Sequence, residues 1–191
     1  MATGGLRDHL AGGFHRYSTD AAWLVPHFEK MLYDQALLAH AWLDAWQVAG
    51  LDRDSDVVRG ILDDTLASLQ APHGAFYAAL DADSAAPTGE AVEGWFYTWT
   101  PAELAATLSP DDAALAAEWF GVTESGHVDG RSVLHTARSL DDLAAAHNTD
   151  PADLQVRIAT LSTTLQQARV LRPPPLRDDK VVTGWNGLFI S

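Results

Sequence analysis

Three polar clusters in the sequence combine carboxylates with histidines or cations, and each lies where a helix or strand is predicted to begin or end. The clusters are residues 14–17 with 27–30, residues 80–84, and residues 177–180 with 185–187. In the second cluster, Asp81 and Asp83 are two positions apart, so on a continuing strand both side chains point to one face. A rigid scaffold often presents its functional side chains at such element ends.

These residue types could perform acid/base chemistry on a sugar. Two carboxylates can share the roles of acid and base at a glycosidic bond, and a histidine can move the proton that epimerisation beside a carbonyl requires. The catalytic candidates are His27, Asp81, Asp83 and Asp179. The substrate-binding candidates are His15, Arg16, Glu29, Lys180, Trp185 and Asn186. No metal and no cofactor are expected.

Each cluster also has a purely structural interpretation. The paired aspartates could be turn residues that accept hydrogen bonds from nearby backbone N–H groups. The two histidines could be hydrogen-bonded residues at the start of a helix. The charged residues of 178–180 could form ion pairs that hold the loop after the three prolines. The aromatic segments 76–80 and 95–99 are more typical of a core than of a sugar platform.

Common catalytic motifs are absent. The sequence contains no P-loop, no dinucleotide-binding glycine motif and no nucleophile elbow. Asp81-Ala82-Asp83 begins like a calcium loop but lacks the later ligands and the central glycine. Because there is no cysteine, the chain has no disulfide, thiolate zinc site or catalytic thiol.

The net charge of −14 argues against nucleic acid and anionic membrane as partners, since both require a basic surface. The sequence shows neither a secretory signal nor a membrane-spanning run, so we expect a cytoplasmic location and a small-molecule ligand.

The elements that must position the clusters are predicted to be mainly α-helical. We expect a loop over 1–25, a helical hairpin over 26–70, a β-hairpin over 74–99 as the largest sheet, further helices over 100–171, and a loop with the start of another helix over 172–191. Pro26 is placed in the first turn of a helix that runs to Ala49. Capping residues followed by proline or an acidic residue predict later helix starts near 101, 110, 140 and 151. Trp42 and Trp46 share the broad apolar arc of that helix, which predicts that both are buried.

Several segments resemble the spermatogenesis-associated protein 20 family of thioredoxin-domain-containing proteins, which is found in bacteria and animals. The most specific is Trp23-Leu24-Val25-Pro26-His27-Phe28-Glu29-Lys30-Met31-Leu32-Tyr33-Asp34. Matching segments follow in the same order at residues 12–18, 80–84, 96–100, 178–181 and 185–188. The resemblance covers nearly the whole chain.

The resemblance implies a thioredoxin-like domain followed by an (α/α)6 toroid of the six-hairpin glycosidase type, similar to N-acylglucosamine 2-epimerases. Residues 1–191 match only the first part of that toroid, so the chain is expected to be an incomplete toroid domain that lacks the thioredoxin-like partner and is inactive alone. The resemblance assigns no reaction. The function expected is an epimerase, isomerase or hydrolase of a small sugar. The alternatives are a non-catalytic sugar- or protein-binding module that serves the thioredoxin-like domain, and clusters that only brace loops.

Overall fold

The computed structural model describes all residues from 1 to 191, and 46% of them are helical. The protein is therefore mainly α, as predicted. The helices are α1 Leu32–Ala49, α2 Asp52–Leu69, α3 Pro101–Thr107, α4 Pro110–Phe120, α5 Leu140–Ala146, α6 Pro151–Arg169 and α7 Thr183–Phe189. None of these helices has the length and apolar character that crossing a bilayer requires.

Seven short strands form three small antiparallel sheets. The strands are β1 Tyr17–Ser18, β2 Pro26–His27, β3 Lys30–Met31, β4 Ala79–Leu80, β5 Asp83–Ala85, β6 Ala91–Glu93 and β7 Arg177–Asp178. Strand β1 pairs with β2, and β5 pairs with β6. In the three-stranded sheet, β4 is the central strand and pairs with both β3 and β7. The three-stranded sheet joins segments that are far apart in sequence. Each of its strands contains at least one residue of a different polar cluster.

The predicted β-hairpin over 74–99 is wrong in extent. Only β5 and β6 form a hairpin, and residues 94–97 are a turn rather than a strand. Gly94, the first residue of this turn, has φ of +72°, and a Cβ there would come within 2.3 Å of the Phe28 ring. Glycine is thus required to bring the end of the hairpin against Phe28. The largest sheet is instead the three-stranded one.

The first predicted helix begins six residues late. Pro26 and His27 lie in β2, residues 30–31 form β3, and α1 starts only at Leu32. The physical reason is tertiary pairing, because β2 hydrogen-bonds to β1 and β3 to β4. Those partners satisfy the backbone groups that a helix would have satisfied internally.

The later helices begin where the capping pattern predicts. Thr100 forms a capping box with Glu103, and proline occupies the first turn of α3. The side chains of Ser109, Ser139 and Asp150 each accept a hydrogen bond from a backbone N–H in the first turn of the following helix.

The main hydrophobic core lies among α3, α4, α5 and α6 and contains fourteen buried residues, including Trp99 and Phe120. A smaller cluster of four buried residues packs the loop 6–14 against α2. Helix α1 buries only Leu32, Gln35 and Ala36. Its Leu38, Ala39 and Trp42 are half-buried and pack against the smaller cluster.

The expected burial of Trp46 is wrong. Its side chain is 39% exposed, whereas Trp42 is half-buried and stacks over Phe14 at 6.4 Å between ring centroids. The two tryptophans are four positions apart, but only the first reaches the loop that packs on α2.

Candidate functional site

Residues 26–31 form an extended segment whose side chains alternate between two environments. Pro26, Phe28 and Lys30 are buried, whereas His27 and Glu29 are half-exposed on the other side. This period of two is the side-chain geometry of a strand. It places a histidine and a glutamate next to each other on an accessible face, above a buried lysine.

Glu29 is held by an arginine and a histidine. Its Oε2 atom accepts a hydrogen bond from Arg16 Nη1 at 2.8 Å, and His27 Nε2 lies 3.1 Å from the same oxygen. Both contacts use Oε2, so Oε1 is left for a ligand. The loop containing Arg16 and the segment containing His27 are therefore in direct contact.

His27 lies between two carboxylates. Its Nδ1 atom is 2.6 Å from Glu93 Oε1, and its Nε2 atom faces Glu29. The imidazole is therefore held between two carboxylates, with Glu93 at Nδ1 and Glu29 next to Nε2. The ring of Tyr17 stacks on the imidazole at 4.9 Å and fixes its plane.

A cavity of about 250 Å³ opens beside Glu29, and we refer to it as the Glu29 cavity. It lies along the three-stranded sheet, because pairing of β3, β4 and β7 brings the polar ends of these strands together. The lining residues are Glu29, Met31, Ala79, Leu80, Asp81, Leu176, Arg177 and Asp178. All three polar clusters thus contribute to one cavity.

The two aspartates of the second cluster have different positions. Asp81 lines the Glu29 cavity, and its Oδ1 atom accepts a hydrogen bond from the backbone N–H of Asp83 at 3.3 Å. No cation pairs with Asp81. Asp83 is exposed in β5 and lies outside the cavity lining, so its expected catalytic role is not supported by its position.

The loop after the prolines is held by ion pairs within itself. Arg177 Nε donates to Asp179 at 2.7 Å, and Lys180 Nζ donates to Asp178 at 3.0 Å. The hydrogen bonds from Lys180 lower the pKa of Asp178. Of the charged residues in this loop, only Arg177 and Asp178 line the cavity. Asp179 and Lys180, which we expected in the site, lie beside it.

Three other candidates occupy structural positions. His15 is buried, its Nδ1 lies 3.0 Å from the Phe28 carbonyl oxygen, and burial lowers its pKa to about 3. The Asn186 amide accepts from and donates to the backbone of Phe76. Trp185 packs edge-to-face with Tyr33 at 4.9 Å. These contacts occupy His15 Nδ1 and the Asn186 amide, and none of the three residues lines the Glu29 cavity.

The buried face of segment 26–31 is anchored by a network of charged side chains. Lys30 Nζ donates to Asp8, Asp64 and the Gly12 carbonyl oxygen, each at 2.9 Å, which satisfies all three of its N–H groups. Burial lowers the pKa of Lys30, but the attraction of Asp64 and Asp8 is larger in sum and raises it overall. Arg169 from α6 adds a bidentate pair to Asp8 at 2.8 and 3.0 Å. The network therefore fixes the strand that presents Glu29.

Sequence reasoning did not select Asp34, which lies in the first turn of α1. Its Oδ2 atom is buried and has no hydrogen-bond partner. Burial raises the pKa of Asp34 to about 6, the charge of Arg16 lowers it, and the charge of Glu29 raises it. A carboxyl that retains its proton near an ionised one is a recurring arrangement in acid/base sites. The only indication of Asp34 in the sequence was its position in segment 23–34, the most specific segment of the family resemblance.

Glu93 was also missed, and Arg177 lies in the third cluster but was not selected as a candidate. Local spacing gives no signal for Glu93, which is 66 positions from His27 in sequence. No three histidine, aspartate or glutamate side chains are arranged to hold a metal ion. The site offers carboxylate oxygens, the guanidinium groups of Arg16 and Arg177, and an imidazole in contact with two carboxylates. These groups can bind hydroxyls and transfer protons.

The whole chain is similar to part of several known proteins. It is 41% identical to spermatogenesis-associated protein 20 of Homo sapiens and 38% identical to that of Rattus norvegicus, with all of this chain and 27% of each relative covered. An uncharacterised protein of Caenorhabditis elegans is 35% identical over all of this chain and 29% of its own length. The chain thus spans about a quarter of the length of the curated relatives it matches. No protein-family profile matches it.

Proposed function

We propose that this chain forms part of a carbohydrate-active (α/α)6 toroid that acts on a small sugar as an epimerase, isomerase or hydrolase. The observation that carries the proposal is the convergence of all three polar clusters on the Glu29 cavity. Drug-sized ligands occupy pockets of roughly 300–1,000 Å³. The Glu29 cavity, of about 250 Å³, is smaller than these pockets, which favours a ligand the size of one sugar ring.

In this proposal the two cavity carboxylates have different roles because their surroundings differ. Glu29 is paired with Arg16 and binds substrate hydroxyls through Oε1. Asp81 has no cationic partner and acts as the base that removes a proton. His27, which contacts Glu29, is the second proton-transfer group and acts through that glutamate. Environments that separate two carboxylates in this way define acid/base assignments in known enzymes.

The alternative is a binding module that holds a sugar or a protein without turning it over and serves a thioredoxin-like domain elsewhere in a longer polypeptide. Similarity to proteins about four times longer is compatible with either function. We place the protein in the cytoplasm under both.

A panel of mono- and disaccharides, read for melting temperature and for product, tests the proposal on the protein that contains this chain. We expect at least one sugar to raise the melting temperature and to be converted. Glu29→Gln should lose conversion, and Glu90→Gln, in the exposed hairpin tip, should retain it. Stabilisation without product would favour the binding module, and absence of both effects would contradict any sugar function.

A further inference from the structure

Arg177 is the only cationic residue that lines the Glu29 cavity. Its Nε atom donates to Asp179 Oδ1 at 2.7 Å, and its guanidinium carbon lies 4.3 Å from the centroid of the Tyr77 ring. These two contacts fix the position of the guanidinium. Neither Nη atom donates a hydrogen bond to a protein group, so the N–H groups of both are free for a ligand.

The three-stranded sheet holds this guanidinium next to the residue proposed as the base. Arg177 in β7 pairs with Leu80 in β4, and Asp81 follows Leu80 directly. The backbone N–H of Asp81 donates to the Leu176 carbonyl oxygen at 2.8 Å. Asp81 and Arg177 both line the cavity, but they form no ion pair with each other. A carboxylate and a guanidinium are therefore held on adjacent strands, and each is free to contact a substrate.

We propose that Arg177 binds the carbonyl oxygen of an open-chain sugar and stabilises the negative charge that forms there while Asp81 removes a proton from the neighbouring carbon. This inference rests on the proposed sugar function. Among the three reactions considered there, it selects epimerisation or isomerisation over hydrolysis. A fixed cation at an oxygen that becomes anionic stabilises the transition state more than the ground state.

The chemical step balances within the cavity. The C–H bond breaks, its proton goes to Asp81, its electron pair forms the C=C bond of an enediolate, and the carbonyl π pair moves to the oxygen facing Arg177. Return of the proton to the former carbonyl carbon, with transfer of one hydroxyl proton between the two oxygens, gives the isomer. Addition of a proton through Glu29 to the opposite face of the original carbon gives the epimer, and Asp81 then releases its proton to water.

The carboxylates of the cavity restrict the charge of the substrate. Glu29, Asp81 and Asp178 line the cavity together with the single guanidinium of Arg177. Because Asp81 becomes neutral as the carbonyl oxygen becomes negative, the step leaves the net charge of the cavity unchanged. A phosphate or carboxylate already present on the sugar would add negative charge and be repelled. The substrate class is therefore a neutral aldose or ketose.

Asp179 is a positioning residue in this mechanism. It accepts from Nε of Arg177 and leaves both Nη atoms for the substrate. The Asp179 side chain is 62% exposed, so this ion pair contributes little to stability. Its substitution should therefore affect the reaction without affecting the fold.

Hydrogen exchange with solvent tests the reaction on the unsubstituted protein that contains this chain. Glucose, mannose, fructose and N-acetylglucosamine are compared in D₂O with the methyl α- and β-glucosides, whose rings cannot open. Proton NMR should show deuterium at the carbon next to the carbonyl of at least one free sugar and no change in either glycoside. Cleavage of a glycoside without deuterium in any free sugar would overturn this inference and leave a sugar hydrolase. Absence of binding and of conversion for every sugar would overturn the sugar function as well.

Substitutions then test the guanidinium. Arg177→Ala should lower kcat by about 10²–10³ and change KM by less than about threefold, and added guanidinium at a non-denaturing concentration should restore part of kcat. Asp179→Asn should lower kcat by about tenfold at an unchanged melting temperature.

Arg138→Ala is the matched control, because Arg138 is 40% exposed, against 41% for Arg177, and also pairs with one carboxylate, that of Glu118. It should retain kcat and show no response to guanidinium. Equal kcat in Arg177→Ala and Arg138→Ala would overturn the role of Arg177.

Discussion

Asp34 shows how burial changes a single ionisable residue next to the site. Burial of its carboxyl and the nearby charge of Glu29 disfavour the ionised form more than Arg16 favours it, so the pKa of Asp34 is raised to about 6. A folded-state pKa above the unfolded value means that the folded protein holds this proton more tightly. The stabilisation is complete below pH 3.8 and is lost as the pH rises through about 6.

We therefore expect Asp34→Asn to be more stable than the unsubstituted protein at pH 7–8. The gain should be about 1 kcal/mol after allowance for partial solvent exposure. It should disappear near pH 4, where the aspartate is already protonated when folded. Thermal melts across this pH range measure the difference.

Asp44→Asn, on the exposed part of the same helix, is the control and should change stability by less than about 0.5 kcal/mol at every pH. A loss of stability in Asp34→Asn at pH 8 would show that the ionised carboxylate is favourable in the fold.

At the scale of elements, the segment 26–31 shows what the sequence could not reveal. The local pattern of Pro26 and the following apolar residues fits the start of a helix. The segment is extended because it pairs with other parts of the chain. Its strand β2 pairs with β1, and β3 pairs with β4, which lies about 50 positions further along the chain. By contrast, the starts of α3, α4, α5 and α6 depend on capping groups within three residues of each start, and the sequence predicts them correctly.

Lys30 links strand β3 to Asp8 and Asp64, so its substitution tests how much the buried network stabilises this strand. Lys30→Met should lower the free energy of unfolding by about 3–5 kcal/mol, because it leaves Asp8 and Asp64 buried with a lost partner. Chemical denaturation measures the change. Lys180→Met removes an exposed pair and should cost less than about 0.5 kcal/mol. Similar costs for the two variants would contradict the buried network.

The two tryptophans of α1 test how this helix packs. Trp42→Ala should cost about 2 kcal/mol, because the indole packs on Phe14 and is half-buried. Trp46→Ala should cost about 1 kcal/mol or less, since the side chain is 39% exposed. Urea denaturation of both variants measures the free energy of unfolding. A larger loss of stability in Trp46→Ala than in Trp42→Ala would contradict the packing described for the two side chains.

At the scale of the whole molecule, the sequence identified the segments of the site better than the residues within them. The clusters at Glu29, Asp81 and Asp178 do meet at one cavity. Long-range contacts decide the exposure of single residues, so the sequence did not indicate that His15 is buried. It also gave no sign of a partner such as Glu93, which lies 66 positions from His27.

The central claim is that the Glu29 cavity carries acid/base chemistry with Asp81 as the base. Its most direct test is steady-state turnover, by Asp81→Asn and Asp83→Asn, of the sugar that the melting screen identifies. We expect Asp81→Asn to lower kcat by about 10²–10⁴ with an unchanged melting temperature. Asp83→Asn, two residues away and outside the cavity, should retain kcat. Equal activity of the two variants, or a loss in Asp81→Asn that only follows the fraction of folded protein, would contradict the catalytic assignment.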